Sequence, residues 1–258
     1  MPEAISALIL AGGQGERLAT LTDRPKPLIE IGGRPFLGYL LDALAGAGVR
    51  RVVLLTGYRA ALFPDRLAEE LARHAGLEVL FLEEGTPLGT AGALKRALPH
   101  VGTRALVLNG DSYCALDLPD FLRFHAAHPD ALSLAAVRMP DAGDYGRLLI
   151  DGDGRLVGFD EKSAGGEAWI NAGLYGLPRR FFEALPDRPA SLEREVLPAW
   201  VAREPGWVYR SSAYFCDIGT PERLDRACRE LPRLLAASDA AGGSGEARDR
   251  PGRQRRAR

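Results

Sequence analysis

Strand-length apolar runs alternate with helix-length amphipathic stretches through the first half of the chain, and this constrains the fold more than any other feature. Ala4 to Leu10, Arg51 to Thr56, Leu77 to Leu82 and Arg104 to Asn109 read as strands. Between them, Pro35 to Ala47, Ala61 to His74 and Thr90 to Leu98 carry apolar residues at helical spacing. Such a βαβ series predicts an α/β protein with a mostly parallel central sheet flanked by helices, because each crossover must run over a sheet face. Ligands of such sheets gather beyond the carboxyl ends of the strands, so binding residues are expected in the loops there.

After about Asp130 the rhythm changes. Ser133 to Val137, Arg147 to Ile150, Leu156 to Phe159 and Ile170 to Leu177 read as short antiparallel strands, with a turn at Asp151-Gly152-Asp153-Gly154. Helices are expected at Leu192 to Ala202 and after Pro221, a residue suited to a first helical turn. No low-complexity linker divides the halves. Residues 1–236 therefore read as one domain, with a first half of about 1–130 and a smaller antiparallel lobe of about 131–236. From Ala237 the chain is rich in Ala, Gly, Ser and Arg without apolar periodicity, and 237–258 is expected to be a disordered basic tail.

Over 258 residues, 33 basic and 34 acidic side chains give a formal net charge of -1, so nothing global advertises a nucleic acid or membrane partner. Phosphate binding has to be local. Cys114, Cys216 and Cys228 form no CxxC pair, which argues against a disulfide framework or a structural zinc site. With no signal peptide and no spanning run, a cytoplasmic protein is expected.

Directly after the first strand comes Leu10-Ala11-Gly12-Gly13-Gln14-Gly15-Glu16-Arg17-Leu18, a glycine-rich turn that opens toward a helix. Glycines let backbone N–H groups converge on phosphate oxygens, and Arg17 adds a fixed forked cation. Such a turn by itself also serves as a tight strand-to-helix connection. It lacks the GK[ST] of a P-loop, and the dinucleotide pattern GxGxxG fails at Glu16-Arg17-Leu18. A dehydrogenase would further need an acidic residue where Thr56-Gly57-Tyr58 stands. In Arg24-Pro25-Lys26-Pro27-Leu28 two prolines are expected to hold Lys26 extended, as a point charge for a triphosphate. Asp111 and Asp217 each end an apolar stretch, and two carboxylates beside a phosphate loop suit Mg²⁺. The four histidines, His74, His100, His125 and His128, fall outside these motifs.

Taken in order, LAGGQGERL, RPKPL, Pro87-Leu88-Gly89-Thr90-Ala91-Gly92, Asn109-Gly110-Asp111, Phe159-Asp160-Glu161-Lys162, Ile170-Asn171-Ala172-Gly173 and Asp217-Ile218-Gly219-Thr220-Pro221 resemble the sugar-phosphate nucleotidyltransferase family over roughly residues 4 to 232. The resemblance implies a glycosyltransferase-A-like, Rossmann-like fold and Mg²⁺-dependent transfer of a nucleotidyl group to a sugar 1-phosphate. It implies catalytic roles for Arg17, Lys26 and Asp111, and a metal held by Asp111 and Asp217. Nucleotide binding would fall to Leu10, Ala11, Gly12, Gly13, Gly15, Arg17, Lys26, Pro87, Gly89, Thr90 and Gly110. The sugar phosphate would meet Asn109, Gly146, Glu161, Lys162 and Asn171.

Leu-Gly-Thr-Ala-Gly with Asn-Gly-Asp-Ser looks most like the D-glycero-α-D-manno-heptose 1-phosphate guanylyltransferases and their mannose relatives, which favours GTP. Glu16 is instead similar to uridylyltransferases acting on N-acetylmuramate 1-phosphate. Uridylyl or cytidylyl transfer to another phosphorylated sugar, and an inactive nucleotide-sugar-binding module, stay open beside the guanylyl reading. So does a homo-oligomer.

Overall fold

A computed structural model describes residues 5–143, 145–160 and 165–242, with side chains through residue 237. The first half runs β1 (Ser6–Leu10), a hairpin of β2 (Glu30–Ile31) and β3 (Arg34–Pro35), α1 (Phe36–Gly46), β4 (Arg51–Thr56), α2 (Phe63–Arg73), β5 (Glu78–Glu83), α3 (Gly89–Arg96) and β6 (Arg104–Asn109). The second runs β7 (Ser112–Cys114), α4 (Leu118–Ala126), β8 (Ser133–Met139), β9 (Arg147–Ile150), β10 (Arg155–Asp160), β11 (Ala168–Pro178), α5 (Arg179–Glu183), a π turn (Leu192–Val196), α6 (Leu197–Val201), β12 (Gly206–Ser211), β13 (Phe215–Asp217) and α7 (Pro221–Gly242).

Among the described residues, nine strands form one sheet in the order β5-β4-β1-β6-β11-β8-β12-β10-β9. The pairs β5–β4, β4–β1 and β1–β6 are parallel, as the alternation predicts. The antiparallel strands continue this sheet instead of forming a lobe of their own. The reason is β11: Leu174 to Pro178 pair with β6 along one edge, while Ala168 to Asn171 and Tyr175 to Gly176 pair with β8 along the other and Ile170 also meets β9. One long strand thus belongs to both halves. β12, which the sequence reading missed, lies parallel to β8.

Successive residues of β1 explain its continuous apolar composition. Ala7 and Ile9 face a core that also holds Phe36, Phe63 and Phe121, whereas Leu8 faces a second core with Leu94, Tyr175 and Phe182. A strand covered on both faces has no polar side to show. The missed helix α4 begins with a side-chain cap, Asp117 Oδ1 accepting from the Asp120 N–H at 2.8 Å, with Pro119 in the first turn. At the other end of the chain, α7 starts at Pro221 and runs to Gly242, past Ala237 where helical order was expected to stop. Residues 243–258 of the expected tail lie outside the described residues. The three cysteines are free, and no described helix is long and apolar enough to cross a membrane.

His125 on α4 is fully buried, with Nδ1 3.0 Å from Ser133 Oγ and no partner for Nε2 among the described residues. A Cβ on Gly176 would collide with its ring. Burial, which penalises the charged imidazolium, pushes its pKa down from 6.5 to about 4. The unfolded chain therefore takes up a proton that the folded chain refuses as pH falls below 6.5. Stability from this residue is full above pH 6.5 and is lost toward pH 4, by roughly 3 kcal/mol in all. Urea unfolding across that range is expected to show the loss, and His125→Gln is expected to flatten it.

Candidate active site

The carboxyl ends of β1, β4, β5 and β6 open into one cleft of about 810 Å³. Leu10 and Ala11 enter it from β1, Gly57 and Tyr58 follow β4, Glu84 to Pro87 follow β5, and Asn109 and Asp111 follow β6. This is the location the alternation predicts for a parallel sheet.

Of the residues implicated by sequence, Leu10, Ala11, Gly12, Gly13, Gly15, Arg17, Lys26, Pro87, Gly89, Thr90, Asn109, Asp111 and Asp217 all line this cleft. Gly110, Gly146 and Asn171 do not appear on its wall. Glu161 and Lys162 lie outside the described residues. Gly110 is a spacer: its N–H donates to Leu10 O at 2.9 Å, and a Cβ there would sit 2.5 Å from the same oxygen. The ends of β1 and β6 approach this closely only with glycine.

The glycine-rich turn does not open into an α-helix. Gly15 takes φ +67°, and a single 3-10 turn, Glu16–Leu18, follows. Phosphate oxygens would therefore meet loop N–H groups without a helix behind them. Arg17 is exposed on the cleft and forms no ion pair among the described residues. Lys26 is not extended either, because Lys26–Leu28 is a 3-10 turn whose Lys26 carbonyl accepts from the Ile29 N–H. That turn lays the lysine stem against Gly15 and brings Nζ to 3.1 Å from Asp111 Oδ2. The glycine turn and the proline-flanked lysine thereby meet the aspartate that follows β6, 85 residues beyond Lys26, at one point.

Asp217 arrives from the other side. β7 and β13 pair antiparallel with Ser112 opposite Asp217, and the Ile218 N–H donates to Asp111 O at 3.0 Å, which brings Asp217 on β13 beside Asp111 in the turn before β7. Asp217 Oδ1 accepts from the Gly219 N–H at 2.8 Å and from Arg223 Nη1 at 3.3 Å, while Tyr145 OH donates to Oδ2. Burial and the adjacent Asp217 carboxylate raise the Tyr145 pKa and keep it a donor. The guanidinium of Arg223 lies 4.0 Å from the Tyr145 ring centroid. Two carboxylates beside a phosphate-sized loop form an all-oxygen donor set of the kind a hard divalent cation takes. A separate group, Asp42, Glu70 and His74, also clusters closely, but Arg34 donates to Asp42 Oδ2 at 2.6 Å and to Glu70 Oε1 at 3.1 Å. Arg73 Nη1 also lies 3.4 Å from Glu70 Oε1, so two guanidiniums meet the two carboxylates of that cluster, which stands apart from the cleft lining.

Asn171 sits behind the wall. The segment Asn171 to Tyr175 forms a register shift in β11 with Gly173 at φ +70°, and the Gly173 N–H donates to Asn171 Oδ1 at 2.9 Å. Asn171 Nδ2 donates to Tyr175 OH at 2.6 Å, and Tyr175 OH donates to Glu193 Oε1 at 2.9 Å. Asn109 Nδ2 reaches the same Glu193 oxygen, also at 2.9 Å. Glu193, on the π turn before α6, is the member of this network besides Asn109 that lines the cleft. The sequence reading missed it, along with Glu84, Tyr145, Tyr175 and Arg223. Gly89, at φ +68°, lets the 86–90 loop lie against Ala190, and Thr90 Oγ1 accepts from the Leu192 N–H at 2.7 Å.

Comparison with known proteins adds a family to this geometry. The chain is 36% identical over 245 residues to a mannose-1-phosphate guanylyltransferase of Mycobacterium tuberculosis, covering 93% of this chain and 68% of that protein. It is 36% identical over 221 residues to the mannose-1-phosphate guanylyltransferase catalytic subunit beta of Drosophila pseudoobscura pseudoobscura, covering 84% of this chain and 59% of that one. The chain thus spans about two thirds or less of the length of these curated relatives. The crystal structure of HddC from Yersinia pseudotuberculosis complexed with GMP-PN superposes with a TM-score of 0.77 at 34% identity, covering 88% of this chain and 99% of that one. Residues 6–233 match the family described as nucleotidyl transferase, to which this chain belongs.

Proposed function

We propose that the protein transfers GMP from GTP to a sugar 1-phosphate, giving a GDP-sugar and pyrophosphate. The observation that carries this reading is the meeting of the glycine turn, the Lys26–Asp111 pair and Asp217 on one cleft, in a family whose relatives here are named guanylyltransferases. Mannose 1-phosphate is the first choice of acceptor, from the relatives' names, and the heptose 1-phosphate suggested by the sequence motifs is the second. Uridylyl or cytidylyl transfer has no support among these relatives.

In the reaction, an oxygen of the sugar phosphate attacks the α-phosphorus, and the bond to the bridging oxygen breaks as pyrophosphate leaves. A phosphate monoester is mostly dianionic at pH 7, so no general base is required. In keeping with this, no histidine lines the cleft among the described residues. The protein's task is to bring two anions together. The loop N–H groups and Arg17 would bind the β and γ phosphates, and Lys26 would stand beside the α-phosphate. Asp111 and Asp217 would hold Mg²⁺, whose charge neutralises phosphate oxygens. Glu193 and Asn109 offer an acceptor and a donor to sugar hydroxyls. Asn171 would act through Tyr175, holding Glu193 in place.

Pyrophosphate release with Mg²⁺ tests this across GTP, UTP, CTP, ATP and dTTP against mannose, heptose, glucose and N-acetylmuramate 1-phosphates. Turnover is expected with GTP and mannose or heptose 1-phosphate. A UTP or CTP signal in place of GTP overturns the base, and silence throughout returns the chain to a binding module.

A further inference from the structure

Arg223 lies in the first turn of α7, where its N–H donates to Thr220 Oγ1 at 3.3 Å and its side chain joins the cleft lining. The guanidinium stands 4.0 Å from the Tyr145 ring centroid. That ring is held in turn by its hydroxyl on Asp217 and by Phe215, whose ring centroid lies 5.8 Å away. The cation is thereby fixed in place. Asp217 alone does not account for it. That carboxylate already accepts from the Gly219 N–H at 2.8 Å on Oδ1 and from Tyr145 on Oδ2. Arg223 Nη1 lies 3.3 Å from Oδ1, longer than the about 2.7–2.9 Å of a close charge-assisted bond. A guanidinium carries five N–H donors. This contact uses one, and the others meet no acceptor among the described residues.

Contacts run without a break from the glycine turn to this cation. The Lys26 stem lies against Gly15, Lys26 Nζ meets the Asp111 carboxylate, the Ile218 N–H meets the Asp111 carbonyl, and Arg223 stands beside Asp217. The glycine turn and Arg223 are the two ends of this run, with the pair of aspartates between them. In phosphoryl transfer the attacking and leaving oxygens lie roughly in line through the phosphorus. With pyrophosphate leaving toward the glycine turn and Arg17, the attacking oxygen approaches the α-phosphorus from the Asp217 side. A dianion arriving there meets the Asp217 carboxylate and needs a cation beside it. Arg17, Lys26 and Arg223 are the cations of the cleft lining among the described residues, and Arg223 alone of them comes from the second half of the chain. Two adjacent N–H groups of a guanidinium match two oxygens of a phosphate monoester.

We infer that Arg223 grips the phosphate of the incoming sugar 1-phosphate and holds its attacking oxygen in line with the α-phosphorus; this rests on the transfer reading above. Arg223→Met keeps an apolar stem beside Tyr145, and the bonds of Gly219 and Tyr145 to Asp217 do not need the guanidinium. With the better of mannose and heptose 1-phosphate as acceptor, KM for the sugar phosphate is expected to rise by about 30- to 100-fold, while KM for GTP stays within about 3-fold of wild type. Arg223→Lys keeps the charge but loses the fork, and is expected to raise KM for the sugar phosphate by roughly tenfold. It carries the test should Arg223→Met fail to fold. The reverse reaction reads the same site: KM for the GDP-sugar is expected to rise in both variants, and KM for pyrophosphate to hold. An unchanged KM for the sugar phosphate overturns the assignment, whether or not kcat falls, because a mere support for Asp217 would act on kcat. So does an equal or larger rise in KM for GTP or pyrophosphate. Failure of the transfer reading looks different: the wild type then releases pyrophosphate with no pairing of nucleotide and sugar phosphate.

Discussion

Asp111→Asn is expected to lower kcat by about 1,000-fold or more while the protein melts within a few degrees of wild type. The substitution removes a negative charge and an oxygen of the proposed metal site without removing volume. Little of the fold depends on that charge. The Asp111 side chain is 35% exposed, and its structural bond, from the Ile218 N–H to the backbone carbonyl, survives the change. Pyrophosphate release at saturating concentrations of both substrates measures the first effect, and a thermal melt the second. Turnover within tenfold of wild type would remove Asp111 from the chemistry.

That prediction was open to the sequence because Asp111 declares itself locally, one residue past Asn109-Gly110 at the end of an apolar strand. The same holds for β4 and β6, whose bounds coincide with the apolar runs Arg51 to Thr56 and Arg104 to Asn109. Strands buried on both faces leave an unbroken signature. Local signals fail where position depends on a distant partner. Nothing in Ile170-Asn171-Ala172-Gly173 says that the segment bulges and turns Asn171 toward Tyr175, since the bulge exists only against the register of β8. Glu193 reaches the cleft because the Leu192 N–H donates to Thr90, a contact between residues 102 apart in the chain. The backbone of Lys26 was misjudged for a similar reason. Pro25 at φ -53° and ψ 137° is extended as proline rules require, yet the next residues close a 3-10 turn that lays the lysine stem on Gly15. The identity of the lysine was legible, and its route into the site was not.

Lys26→Met is expected to lower kcat/KM for the nucleotide by about 1,000-fold, with kcat falling and KM for GTP rising together. Methionine preserves the apolar stem against Gly15, so the fold around the glycine turn should hold. The loss is large because it acts twice. Lys26 Nζ lies 3.1 Å from Asp111 Oδ2, and removing it takes a cation from the triphosphate and also leaves the Asp111 carboxylate without that partner in its path. The second part of the loss disappears when Asp111 is already asparagine. The double variant Lys26→Met, Asp111→Asn should therefore be no more than about tenfold worse than the poorer single variant, far short of the product of the two defects. Steady-state kinetics on the four proteins measures this coupling. Defects that multiply would mean that Lys26 and Asp111 serve the reaction independently, and that their ion pair is a feature of the free protein alone.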